Sequence, residues 1–134
     1  MTRRVLLASD TRGHTAGYYV VAQALRDAGF EVIVTGQQLP REIAAATAQE
    51  DADLIALRIM DRDPVEVVTG LIAEMQAIGL DGVPLLVGGI VHRKDAARLR
   101  ELGVAGVFGP GSKLSDITDC ARRATAEESG GTGG

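Results

Sequence analysis

Val5-Leu6-Leu7-Ala8-Ser9-Asp10-Thr11-Arg12-Gly13-His14-Thr15-Ala16-Gly17 leads directly into Tyr18-Tyr19-Val20-Val21-Ala22-Gln23-Ala24-Leu25. Four consecutive apolar residues, Val5 to Ala8, read as a strand buried on both faces. The polar loop that follows gives way to helix-period residues from Tyr18 to Ala28, stopped by Gly29. A strand, a loop and a helix in this order predict one unit of a parallel sheet. His14 lies on that loop, where open parallel sheets bind ligands. A neutral imidazole there can ligate a metal.

The same unit recurs along the chain. Glu31–Val34 reads as a second strand ending at Thr35-Gly36, and Pro40 opens a helix to about Glu50. Leu54–Ile59 is a third strand, and Asp63 caps a helix with Pro64 just inside, running to about Ala77. Leu85–Val87 is a fourth strand ending in Gly88-Gly89, followed by a helix over Arg93–Leu102. Val104–Phe108 holds a short fifth strand, and Ser112 or Ser115 is the expected cap of a last helix to about Thr125. Five strand–helix units in strict alternation predict a flavodoxin-like, doubly wound five-stranded parallel sheet with helices on both faces. One α/β domain over residues 1–125 and a disordered Gly-rich tail over 126–134 are expected.

Composition narrows the function. The chain has 134 residues, 46 % hydrophobic and 24 % charged, an ordinary globular balance. Aromatics make up 3 % and Trp is absent, so the core is built from Val, Ile, Leu and Ala. A net charge of -4 with scattered basic residues excludes a broad nucleic-acid surface. A single cysteine, Cys120, excludes a disulfide framework and makes a reducing cytoplasm the expected compartment. No apolar run is long enough for a membrane span. Cys120 reads as a small core residue, and His92 as a surface residue.

Ligand chemistry is expected in the loops after the strands. Gly88 and Gly89 leave bare backbone for a flat ligand, or make a tight turn. Gly109-Pro110-Gly111-Ser112 can present N–H groups to a phosphate near a helix start, or be an ordinary loop. Neither is a P-loop, and the first loop, with only Gly13 and Gly17, lacks the dinucleotide fingerprint. His14 has no second ligand at metal-site spacing, which argues against zinc.

Three segments carry a resemblance. They are Val20-Val21-Ala22-Gln23-Ala24-Leu25-Arg26-Asp27-Ala28-Gly29-Phe30-Glu31-Val32-Ile33, Val87-Gly88-Gly89-Ile90, and Glu101-Leu102-Gly103-Val104-Ala105-Gly106-Val107-Phe108-Gly109-Pro110-Gly111. From Arg4 to about Thr118 the chain resembles the cobalamin-binding domain of the methylmalonyl-CoA mutase family. That family carries Asp-x-His-x-x-Gly in the first loop, Ser-x-Leu at the third strand and Gly-Gly after the fourth. The resemblance implies His14 as lower axial ligand of cobalt, and a slot between sheet and helix that takes the displaced nucleotide tail.

Laid on the pattern, Gly17, Gly88 and Gly89 match. Arg12 stands at the aspartate position, Arg58 at the serine position, and Met60 where leucine is usual. A guanidinium accepts no hydrogen bond, so Arg12 cannot hold the His14 ring as a carboxylate does. Asp10, two residues upstream, is the alternative acceptor. Arg58 is larger than serine, would fill part of the tail slot and needs a partner if buried. The cofactor-binding set implied is Asp10, Arg12, Gly13, His14, Gly17, Arg58, Met60, Gly88, Gly89, Gly109 and Gly111.

The resemblance implies a cobalamin-binding small subunit of an adenosylcobalamin-dependent acyl-CoA mutase, with adenosylcobalamin favoured over methylcobalamin. A large barrel subunit would be the partner, oligomers are compatible with it, and the isolated chain would be inactive. Two other readings stay open: a partner module of the same fold that has lost the corrinoid, and a pocket for an anionic small molecule held by Arg12 and Arg58.

Overall fold

The computed structural model describes residues 2–13 and 15–126, so Met1, His14 and residues 127–134 of the Gly-rich tail lie outside the described residues. All five strand–helix units form. The strands are β1 (Arg4–Ser9), β2 (Glu31–Gln37), β3 (Leu54–Ile59), β4 (Leu85–Gly89) and β5 (Gly106–Phe108). The helices are α1 (Thr15–Asp27), α2 (Pro40–Glu50), α3 (Pro64–Ala77), α4 (Arg93–Glu101) and α5 (Leu114–Ala124). The sheet is wholly parallel, in the order β2-β1-β3-β4-β5. This is the flavodoxin-like order, with its switch point between β1 and β3.

Alternation along the strands divides the core in two. Leu6, Ile55, Leu57, Ile59 and Val87 face Ile43 of α2, Val68 and Leu71 of α3, and Leu99 of α4. Val5, Leu7, Leu54, Ala56 and Leu86 face Tyr18, Ala22 and Leu25 of α1 and Ala121 of α5. Cys120 is buried in this second layer. Both faces of β1, β3 and β4 are covered, which is why these strands read as continuous apolar runs.

The expected boundaries shift: α1 begins at Thr15, three residues before Tyr18, and β4 runs through Gly88-Gly89, two residues past Val87. β2 continues through Thr35-Gly36 to Gln37, because the strand slips register opposite Leu7 and Ala8 and then pairs Gly36 with Ala8. β5 begins at Gly106, two residues after Val104. α5 is capped by neither serine: Lys113 is its N-cap and makes no side-chain cap bond. The Ser112 hydroxyl donates instead to the Gly109 carbonyl at 2.8 Å. The Asp63 cap holds, its carboxylate accepting from the Val65 and Glu66 amides.

Two features lock the sheet edge where the loops emerge. Gly89 has φ +113°, and a Cβ added to it would lie 2.2 Å from the Ile59 carbonyl oxygen. The second glycine of the pair is therefore demanded by the close approach of β3 and β4. Gly88 differs: the nearest atom to an added Cβ is the Phe108 carbonyl oxygen at 3.4 Å.

Asp10, at the end of β1, is buried. Its Oδ1 accepts from the Met60 amide at 2.8 Å, and its Oδ2 from the Asp61 and Arg62 amides at 2.9 and 2.8 Å. Its own N–H donates to the Arg58 carbonyl at 3.1 Å. One carboxylate thus ties the first loop to the loop after β3.

The glycines predict a contrast. Gly89→Ala should lose about 3 kcal/mol through forced φ and overpacking, whereas Gly88→Ala should lose under about 1 kcal/mol. Urea unfolding of both variants checks this; equal midpoints would refute the assignment. Asp10→Asn keeps the shape but turns amide hydrogens towards backbone N–H groups. It should cost about 2–4 kcal/mol and speed amide exchange at residues 60–62; wild-type exchange at those amides would refute the latch.

Candidate functional site

A row of side chains crosses the carboxyl edge of the sheet in register: Ser9, Arg58, Gly88 and Phe108. Below it lie Leu7, Ala56, Leu86 and Gly106. Strand period 2 puts Arg58 on the same face as Leu54 and Ala56, towards α1. Gly88, beside it, has no side chain, and Ala56 beneath is small. Space is therefore left between the sheet, α1 and the start of α5.

That space is a cavity of about 550 Å³. Tyr18, Val20 and Val21 of α1 form one wall, with Leu114 and Ile117 of α5 opposite. The sheet edge and the Gly109–Ser112 turn complete it. Arg58 is the one charged side chain among the described lining residues. Val20 and Ile90, both lining the cavity, are about half exposed. A largely apolar slot with few placed polar groups is the form small-molecule sites take.

Tyr18 is the rigid element of the wall. It is 3 % exposed, its hydroxyl donates to the Leu7 carbonyl at 2.6 Å, and it accepts from the Gly36 amide at 3.1 Å. Burial pushes its pKa above the ordinary tyrosine value, partly offset by the Gly36 hydrogen bond and by Thr35 and Arg58. The Arg58 guanidinium carbon lies 5.0 Å from the centre of the Tyr18 ring, a cation–π contact. Arg58 Nη2 also donates to the Gly13 carbonyl.

Arg12 is placed elsewhere. It is exposed, does not line the cavity, and donates from Nε to Gln37 Oε1 at 3.0 Å. Gln37 in turn donates to the Asp10 carbonyl at 3.3 Å. Arg12 and Arg58 thus do not converge on one pocket. Asp10, with both oxygens engaged by the loop after β3, serves as a latch.

Gly17, Arg58, Met60, Gly88, Gly89, Gly109 and Gly111 all line the cavity; Asp10, Arg12 and Gly13 do not. Gly109–Ser112 is a closed turn, with the Ser112 amide on the Gly109 carbonyl at 3.2 Å and Gly111 at φ +84°. The Ser112 amide is thereby turned inward, so the turn shapes the slot. His92 is an exposed helix N-cap outside the cavity. Burial raises the Cys120 pKa, in keeping with a core thiol. Among the described residues, no group of three or more His, Cys, Asp or Glu could hold a metal ion. None of the described helices is long and apolar enough to cross a membrane.

Sequence reading missed Phe108, Leu114 and Ile117 as slot residues and Gln37 as a loop anchor. The apolar three look like ordinary core positions, and only the short β5 and its tight turn bring them to the slot.

Comparison with known proteins gives a consistent result. Residues 3–117 match the B12 binding domain family. The chain is 43 % identical over 99 residues to ethylmalonyl-CoA mutase of Cereibacter sphaeroides, covering 73 % of this chain but 15 % of that protein. It is 39 % identical over 110 residues to the pivalyl-CoA mutase small subunit of Xanthobacter autotrophicus, covering 81 % of this chain and 73 % of that subunit. It is 34 % identical over 125 residues to the 2-hydroxyisobutanoyl-CoA mutase small subunit of Aquincola tertiaricarbonis, covering 92 % of each. A cobalamin-binding protein from Desulfitobacterium hafniense shares the fold, with TM-score 0.70 and 15 % identity, over 92 % of this chain and 59 % of that one. The flavodoxin-like domain described above, with its slot between α1, α5 and the carboxyl edge of the sheet, belongs to the B12-binding domain family.

Proposed function

We propose that the chain is the cobalamin-binding small subunit of an adenosylcobalamin-dependent acyl-CoA mutase, with His14 as lower axial ligand of cobalt. The slot carries this reading: a largely apolar cavity of about 550 Å³ at the switch-point edge of a chain that matches mutase small subunits over most of their length. Cavities of a few hundred cubic ångströms suit drug-sized groups. The slot therefore fits the nucleotide tail of the cofactor, while the larger corrin ring needs the open edge above it.

The residues present suit that tail. Tyr18, Val21, Leu86, Phe108 and Ile117 offer apolar walls to an aromatic base, and Gly88 exposes bare backbone. Arg58 adds donors beside an aromatic face. His14 follows Gly13 in the sequence, directly after the first loop's last described residue, and is the proposed source of the ring nitrogen for cobalt. Adenosylcobalamin, when bound, would supply radical chemistry. This chain's part is to bind, orient and exclude water. The described lining residues include no acid–base pair suited to substrate chemistry, and the likeness to mutase small subunits supports a large barrel subunit as the partner that holds the acyl-CoA. The lone, buried Cys120 suits action in the cytoplasm.

The anion-pocket reading has less support, since Arg12 engages Gln37 and lies outside the cavity.

Titration of apo-protein with hydroxocobalamin and adenosylcobalamin in the dark, followed by desalting and visible spectra, tests the proposal. Retention at about one corrinoid per chain is expected, weakened at least about tenfold by His14→Ala. Absence of retention at high micromolar cofactor would overturn the proposal.

A further inference from the structure

We propose that Arg58 is a positioning residue for the loop that carries His14: laid over the Tyr18 ring, it holds the Gly13 carbonyl and fixes the backbone from which the next residue reaches the cofactor. The inference rests on the reading of His14 as the cobalt ligand.

Four observations carry it. Strand alternation sends the Arg58 side chain to the α1 face, beneath the first loop. Tyr18 is held by two hydrogen bonds of its hydroxyl, to Leu7 and from Gly36, so the surface under the guanidinium is fixed. The guanidinium lies over that ring, 5.0 Å from its centre. Its Nη2 then donates to the carbonyl of Gly13, the residue preceding His14.

The other anchors act earlier in the loop. Asp10 binds the loop after β3, the Thr11 amide donates to Ser9 Oγ at 3.2 Å, and Arg12 leans on Gln37. Gly13 donates to Thr11 Oγ1 at 3.2 Å. Of the contacts described, the Arg58 bond acts nearest His14 from outside the loop. A carboxylate at position 12 would hold the ring directly. Here a cation reaches from β3 and holds the backbone.

The chemistry requires arginine. A planar guanidinium stacks on an aromatic face and donates in its own plane at once, which a lysine ammonium cannot do. Arg58→Lys should therefore restore charge without restoring position.

The test uses the full chain as wild type, Arg58→Met and Arg58→Lys. Hydrogen exchange by mass spectrometry is read on peptides covering residues 9–18, with urea unfolding as control. Both variants should exchange at least about tenfold faster in that segment while β3, β4 and the unfolding midpoint keep wild-type values. In hydroxocobalamin titrations, Arg58→Met should bind about tenfold more weakly, with a smaller fraction showing the histidine-ligated spectrum. In a His14→Ala background, the same change should weaken binding by much less, leaving only what Arg58 itself contributes to the slot wall.

Unchanged exchange in the segment would overturn the inference. So would equal or tighter cobalamin binding by Arg58→Met, which would make Arg58 an obstacle in the slot, or an effect that persists in full without His14. If the wild type retains no cobalamin, the proposed function fails separately. Exchange then decides the loop role of Arg58 alone, lost protection supporting it and intact protection refuting it.

Discussion

The carboxyl edge of this sheet depends on one buried carboxylate. Asp10 closes β1 and receives three backbone N–H groups from the loop after β3. These are the two strands between which a doubly wound sheet reverses direction, so their loops splay apart and leave a crevice. A crevice of this kind has a floor only if its two lips keep a fixed separation. A charged acceptor shared among three amides sets that separation more firmly than neutral bonds would. Tyr18, Arg58 and the slot are all placed relative to it.

On that frame the two glycines that end β4 do different work. Gly89 meets the Ile59 carbonyl and is a condition of folding; Gly88 lines the slot with bare backbone. Their adjacency in sequence hides this division, because neighbouring strand residues point to opposite sides of the sheet. Both glycines lie within β4, so the pair is no tight turn; the close strand approach falls to Gly89 alone.

The strand–helix order was fully legible, because buried parallel strands are apolar runs and each helix is marked by a cap, a proline or a terminal glycine. Asp63-Pro64 and Leu54–Ile59 were placed to the residue. β2 was read short because Thr35-Gly36 looks like a stop, yet a register slip lets the strand pass through it. The serine caps of α5 failed because a Pro-Gly turn took the Ser112 hydroxyl first. Family membership was legible through helix texture and paired glycines even with two signature positions occupied by arginine. The partners of those arginines were not legible: the Gly13 carbonyl and the Tyr18 ring are far from residue 58 in sequence, and no local pattern encodes either contact.

An arginine at position 58 is tolerated because its surroundings have been left small. Beside it in the sheet stands Gly88, below it Ala56, and above it a loop whose nearest described carbonyl belongs to a glycine. A bulky residue at 88 would compete for the same volume, and the guanidinium could then lie over Tyr18 only by giving up the slot. The cation is also not left bare in an apolar cavity, since the ring face and a carbonyl both answer its charge. Replacement of a small polar group by arginine thus leaves the cavity open and changes what fixes its rim. The first loop is thus held both by its own polar groups and by a cation on the strand beneath it.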